Sequence, residues 1–205
     1  MSSTDSLPAE RDRRIRYRLA QVLTELSGPA VCAVAGLLVV AIRNSGNGAG
    51  AAWGGFAAIF VAGVPMGYIA RGVKAGKWTD HHVGEREQRV LPLLIAAASV
   101  ALAVILLVAV HAPRDLAALV AAMLAGLLVV LAVTHWWKVS IHTAVAAGLL
   151  GIFLVIFGLW ALSGLIVLAA VAWSRTVLDA HSWPQVEVGA LLGFGVAVTI
   201  FPLLR

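Results

Sequence analysis

Long apolar blocks separated by short polar clusters run the whole length of this chain. Residues 1–8 are polar and are expected to lack fixed structure. From Glu10 to Leu26, the residues Ile15, Leu19, Val22 and Leu26 recur at spacings of four, three and four, which marks one face of a helix. Arg11, Arg13, Arg14, Arg16 and Arg18 make that helix basic. Two placements fit it equally: flat on an anionic membrane surface, or as an extension of the first span. Apolar blocks predict spans at 28–42, 51–70, 90–110, 116–134 and 186–204. The block 143–173 is too long for one span of ~20 residues and short for two. Gly158, Ser163 and Gly164 supply a break, so it is expected to fold as a tight hairpin with short arms. That makes about seven spans. Turns are expected at 44–48 and 111–115, and Pro65 within the second span frees backbone groups that a neighbour must satisfy.

Composition supports the membrane reading, since 61% of residues are hydrophobic and 12% charged, roughly half the charge of a soluble domain. The chain is therefore expected to be an all-α polytopic transmembrane helical bundle. Residues 1–27 form a tail with the basic helix, and 28–205 form one transmembrane domain. No secretory signal is read at the start. The lone Cys32 excludes an internal disulfide and reads as a packing residue.

The net charge of +5 does not point to nucleic acid, because the basic residues sit in short segments beside apolar blocks. With the N-terminus in the cytoplasm, every one of the 15 Lys and Arg lies on the cytoplasmic side except Arg43, Arg114 and Arg205. This positive-inside bias orients the chain in the cell membrane. An even number of crossings then separates the clusters at 71–89, 138–142 and 174–181. All three are expected on one face, the cytoplasmic one, where they can build a single site.

Ionisable groups at the ends of apolar helices are costly and tend to be functional. Here they include Lys138, His142, Arg175 and His181, with Arg86 and Arg89 in the first cluster. Arginine suits phosphate because its planar fork donates paired hydrogen bonds. Neutral imidazole can attack phosphorus, and a second histidine can protonate the leaving oxygen. Arg175, Lys138, Ser140, Arg89 and Arg86 are candidate donors to the equatorial oxygens.

Ser174-Arg175, five residues, then His181 resembles the last signature of the type 2 phosphatidic acid phosphatase superfamily, which continues with three more residues and then Asp. Ser140-Ile141-His142 resembles its middle signature, Pro-Ser-Gly-His, with Val139 and Ile141 in place of Pro and Gly. The first signature, Lys, six residues, Arg-Pro, finds its nearest register in His82, six residues, Arg89-Val90. The resemblance runs from Lys77 to Gly193. It implies that His181 forms a phospho-histidine and that His142 protonates the leaving group. Arg175 and Arg89 would clamp phosphate oxygens, and Ser140 would donate a hydrogen bond. Gln185 stands where the family has the Asp that orients the nucleophile, with Asp179 and Glu187 near enough in sequence to substitute. The resemblance implies no metal and no cofactor. Its substrates would be lipid phosphates or isoprenoid phosphates and diphosphates.

Other readings of the same residues stay open. Lys138 also suits a snorkelling anchor, and Trp136 and Trp137 suit an interfacial belt. Arg86 and Arg89, one helical turn apart, fit a diphosphate clamp or a lipid headgroup anchor. Asp80-His81-His82 with Glu85 and Glu87 reads as solvated loop charge rather than a metal set. The glycines 126, 148, 151, 189 and 193 read as close-packing positions. The expected activity is a lipid-phosphate phosphatase in the bilayer. The alternatives are a non-catalytic lipid-phosphate binding or transport protein and a structural subunit, with homo-oligomerisation left open.

Overall fold

A computed structural model describes residues 6–76 and 86–205, with side chains described for 10–76 and 90–205. Among these residues the chain is all-helical, with no strand. In order come α1 (Ser6–Leu26), α2 (Pro29–Ser45), α3 (Asn47–Ala58), a π-helical turn (Ile59–Gly63) and α4 (Val64–Lys74). Then follow α5 (Arg86–Ala109), α6 (Arg114–Trp136), α7 (Ile141–Phe157), a 3₁₀ turn (Gly158–Ser163), α8 (Gly164–Val177) and α9 (Trp183–Leu204). Five helical stretches are long and apolar enough to cross a membrane, or six if α1 and α2 are taken together. The helices outrun the apolar blocks by up to a turn, because polar residues such as Asp115 extend a first turn favourably.

The break after the first helix is sharp. Ser27 and Gly28 separate α1 from α2, Pro29 starts the new helix, and the two axes differ by 46°. The expected turn at 44–48 shrinks to Gly46, whose φ of 74° only glycine adopts cheaply. Between α3 and α4 the chain stays helical through Pro65 by widening into the π-turn. In that register Val64 donates to the Ile59 carbonyl, and the next donor would be Pro65, which has no N–H. The Phe60 carbonyl that loses its partner is met by the Ser99 hydroxyl of α5 at 2.7 Å. The proline's cost, expected from the sequence, is thus met by a neighbouring helix.

The block 143–173 turns back on itself. A straight helix over Ile141–Val177 would be ~55 Å long, against a hydrocarbon core of ~30 Å. Gly158 has φ 65° and ψ −150°, which ends α7, and the 3₁₀ turn reverses the chain. Leu150 on α7 lies against Gly164 on α8, as a hairpin requires. The arms have 17 and 14 residues, or ~25 and ~21 Å.

The apolar core lies between α2, α5, α6, α7 and α9, around Leu37, Leu107, Leu116, Leu119 and Phe201. The tightest seam joins α7 to α9. A Cβ on Gly193 would overlap the Ala144 carbonyl, and one on Gly189 would come within 2.5 Å of the Ser140 carbonyl oxygen. At the far end of this seam Arg205 pairs with Asp115 at 3.2 Å, and Arg43 lies over the Phe157 ring. Both arginines belong to the sparse basic set read from the sequence.

The basic helix α1 packs on α8 rather than standing apart. Its expected apolar face, Ile15, Leu19, Val22 and Leu26, is exposed, and the inward face carries Ala20 and Thr24. Small and polar side chains thus fill the seam with α8, and the bulky apolar ones face outward beside the exposed Arg11, Arg13, Arg14, Arg16 and Arg18.

Candidate functional site

His142 and Ser140 enter the site through the start of α7. Trp137 ends α6 in an extended conformation, and Ser140 becomes the N-cap, its Oγ accepting from the Thr143 N–H at 3.4 Å. The Ser140 carbonyl in turn accepts from the Thr143 hydroxyl, and its N–H donates to the Gln185 carbonyl at 3.1 Å. This ties the start of α7 to α9. His142 falls in the first turn of α7, where unsatisfied N–H groups and the helix dipole favour an anion.

Arg175 and His181 are held together by the end of α8. The N–H groups of Ala180 and His181 both donate to the Arg175 carbonyl, at 3.1 and 3.2 Å. The chain curls back through Asp179, whose φ is 51°. The five-residue spacing therefore has a local cause: it is the length of a closed turn that returns His181 to the arginine's own backbone. Aspartate tolerates this left-handed conformation, whereas a β-branched residue does not. Asp179→Val is expected to cost about 1–2 kcal/mol and to impair the site, while Asp179→Asn is tolerated. Thermal unfolding in detergent, run on both variants, checks the contrast.

The His181 ring is oriented by Gln185. Its Nδ1 lies 3.1 Å from Gln185 Oε1, and the same oxygen accepts from the Ser182 N–H at 3.3 Å as part of the capping box of α9. A backbone N–H can only donate, so the amide presents oxygen here and Nδ1 must carry the proton. In the neutral ring Nε2 is then the nitrogen with the lone pair, the form an imidazole nucleophile needs. One glutamine oxygen both caps α9 and sets the tautomer of His181. Asp179 and Glu187 are exposed.

His142, Arg175 and His181 are each only 6% exposed, and all three line one cavity of about 350 Å³. Glu25, from the end of α1, joins them at its rim. From that end the cavity follows α7 from His142 to Ile152, a distance of ~15 Å. Its deeper walls are apolar, with Val61, Leu93, Met123, Leu127 and Leu149 among them. The charged and polar groups stand at one end and hydrocarbon lines the rest, the shape of a site for an amphiphile.

Of the other candidates, Ser140 is fully buried as the cap of α7 and Lys138 is half-buried; neither lines the cavity. Arg86 and Arg89 lie in the first turn of α5, with side chains outside the described residues, as is that of Glu87. Lys77, Asp80, His81, His82 and Glu85 also lie outside them. Among the described residues no group of three or more His, Cys, Asp or Glu could hold a metal ion. The sequence reading missed Thr24 and Glu25 of α1. Thr24 is buried and bonded to α8, where its hydroxyl lies 3.2 Å from Ser174 Oγ. The only sequence signal was that Ala20 and Thr24 share a face opposite the bulky one.

Comparison with family models, with curated proteins and with solved structures finds no match to this chain.

Proposed function

We propose that this chain is a membrane phosphatase that hydrolyses a lipid phosphate or an isoprenoid phosphate or diphosphate through a phospho-histidine. The reading is carried by one observation: two imidazoles and a guanidinium line the polar end of a cavity that is otherwise apolar. In this account Arg175 meets the phosphate oxygens, aided by the first turn of α7. His181 Nε2 attacks phosphorus as the bond to the leaving oxygen breaks, and His142 gives that oxygen its proton. Water, giving a proton back to His142, then attacks the phospho-histidine; the P–N bond breaks, phosphate leaves and both histidines are restored. The apolar tail follows the cavity along α7, and the reaction end faces the cytoplasm of a multi-pass cell-membrane protein.

A second reading draws on Gln185. Its neutral oxygen orients His181 but supplies no charge to stabilise an imidazolium, which suits a lipid-phosphate binding or transport protein as well. The purified chain, given a panel of phosphatidic acid and isoprenoid mono- and diphosphates, separates the two. Phosphate release is expected with at least one of them. Saturable binding with no release from any supports the second reading and contradicts the first.

A further inference from the structure

We propose that Thr24 is a positioning residue of the phosphate site, so that α1 is a working part of that site; the inference rests on Arg175 meeting a phosphate, as proposed above. Thr24 is 2% exposed and lies about 150 residues from its partners in sequence. Its Oγ1 accepts from Arg175 Nη1 at 3.5 Å and donates to Ser174 Oγ at 3.2 Å. Ser174 passes its own proton to the Val171 carbonyl at 2.8 Å. The chain of donors thus starts at the guanidinium, crosses to α1 and ends in the backbone of α8.

Each hydroxyl in this chain gives one proton and takes one, which fixes the direction of both. The guanidinium is a rigid planar fork with five N–H donors. Holding one arm from the side sets the plane of the fork. The backbone turn fixes where Arg175 starts, and Thr24 fixes where its head points. The sequence resemblance, which runs from Lys77 to Gly193, does not include this residue. Glu25 beside it also lines the cavity, so the end of α1 closes the site physically as well.

Thr24→Val keeps the shape and removes the acceptor. In the purified full chain the KM for a lipid phosphate is expected to rise about tenfold with kcat kept, because a clamp made in both ground and transition states is loosened equally. Thr24→Ser should restore the KM. A purely structural role predicts the opposite split, with kcat falling as the active fraction falls and KM unchanged. An unchanged KM in Thr24→Val, or no recovery in Thr24→Ser, overturns the inference. If the wild-type chain releases no phosphate, equilibrium binding of phosphatidic acid in vesicles is compared instead. Binding about tenfold weaker in Thr24→Val and restored in Thr24→Ser keeps the role of Thr24 while the hydrolase reading falls. Equal binding by both variants and the wild type, or none by the wild type, overturns both.

Discussion

His181→Ala is expected to reduce phosphate release from lipid phosphates by at least about a thousandfold, the scale on which nucleophile removal acts in covalent catalysis. The expectation follows from what surrounds the ring. Its backbone is tied to the Arg175 carbonyl, its Nδ1 to Gln185, and the side chain lines the cavity beside His142 and Arg175. Of the other described histidines, His111 and His135 are exposed, and His142 lines the cavity from the first turn of α7. The variant should still fold, because Gln185 keeps its bond to the Ser182 N–H and α9 keeps its cap. Release measured on folded His181→Ala, beside the wild type, decides the matter. Undiminished turnover removes His181 from the nucleophile role.

Among the described glycines, Gly193→Ala is expected to be the most destabilising addition of a methyl group. On α9 a Cβ at 193 would overlap the backbone carbonyl of Ala144 on α7. Backbone cannot swing aside as a side chain does, so the two helices must separate. Overpacking of this kind costs about 1–3 kcal/mol and occasionally more, and here the upper end is expected. The damage also reaches function, because the same seam ties the start of α7 to Gln185. Gly195, two residues along the same helix, has nothing within 4 Å of an added Cβ. Gly195→Ala should therefore be neutral or stabilising by up to about 1 kcal/mol. Thermal unfolding in detergent is the check; equal transitions for the two variants would contradict the seam.

Much of this architecture was legible in the residues. The hairpin followed from an apolar block of the wrong length carrying Gly158 and Gly164, and glycine at 158 is what allows its positive φ. His142, Arg175 and His181 share one end because the hairpin of α7 and α8 brings the chain back to where it started. Gly189 and Gly193 were read as packing positions for the reason the structure gives, close backbone approach.

The rest was hidden for physical reasons. Which face of α1 turns inward is set by its packing on α8, which takes the small and polar Ala20 and Thr24 and leaves Ile15, Leu19, Val22 and Leu26 outward. Ser140 carries the right atom for a phosphate donor, but only the fold reveals that its hydroxyl caps α7. The bond between Thr24 and Ser174 joins the chain's two ends, and no local pattern announces it. Gln185 looked like a lost aspartate in sequence. In space one amide oxygen serves both the helix cap and the imidazole.

The central claim is that His181 takes a phosphoryl group. Its most direct test is to mix the purified chain with a lipid phosphate carrying radioactive phosphorus, quench within the first turnover, and locate the label on the protein. An acid-labile label is expected on the peptide that carries His181, and none on His181→Ala. Phosphate release with no label on that peptide, at equal rates in both proteins, would contradict it.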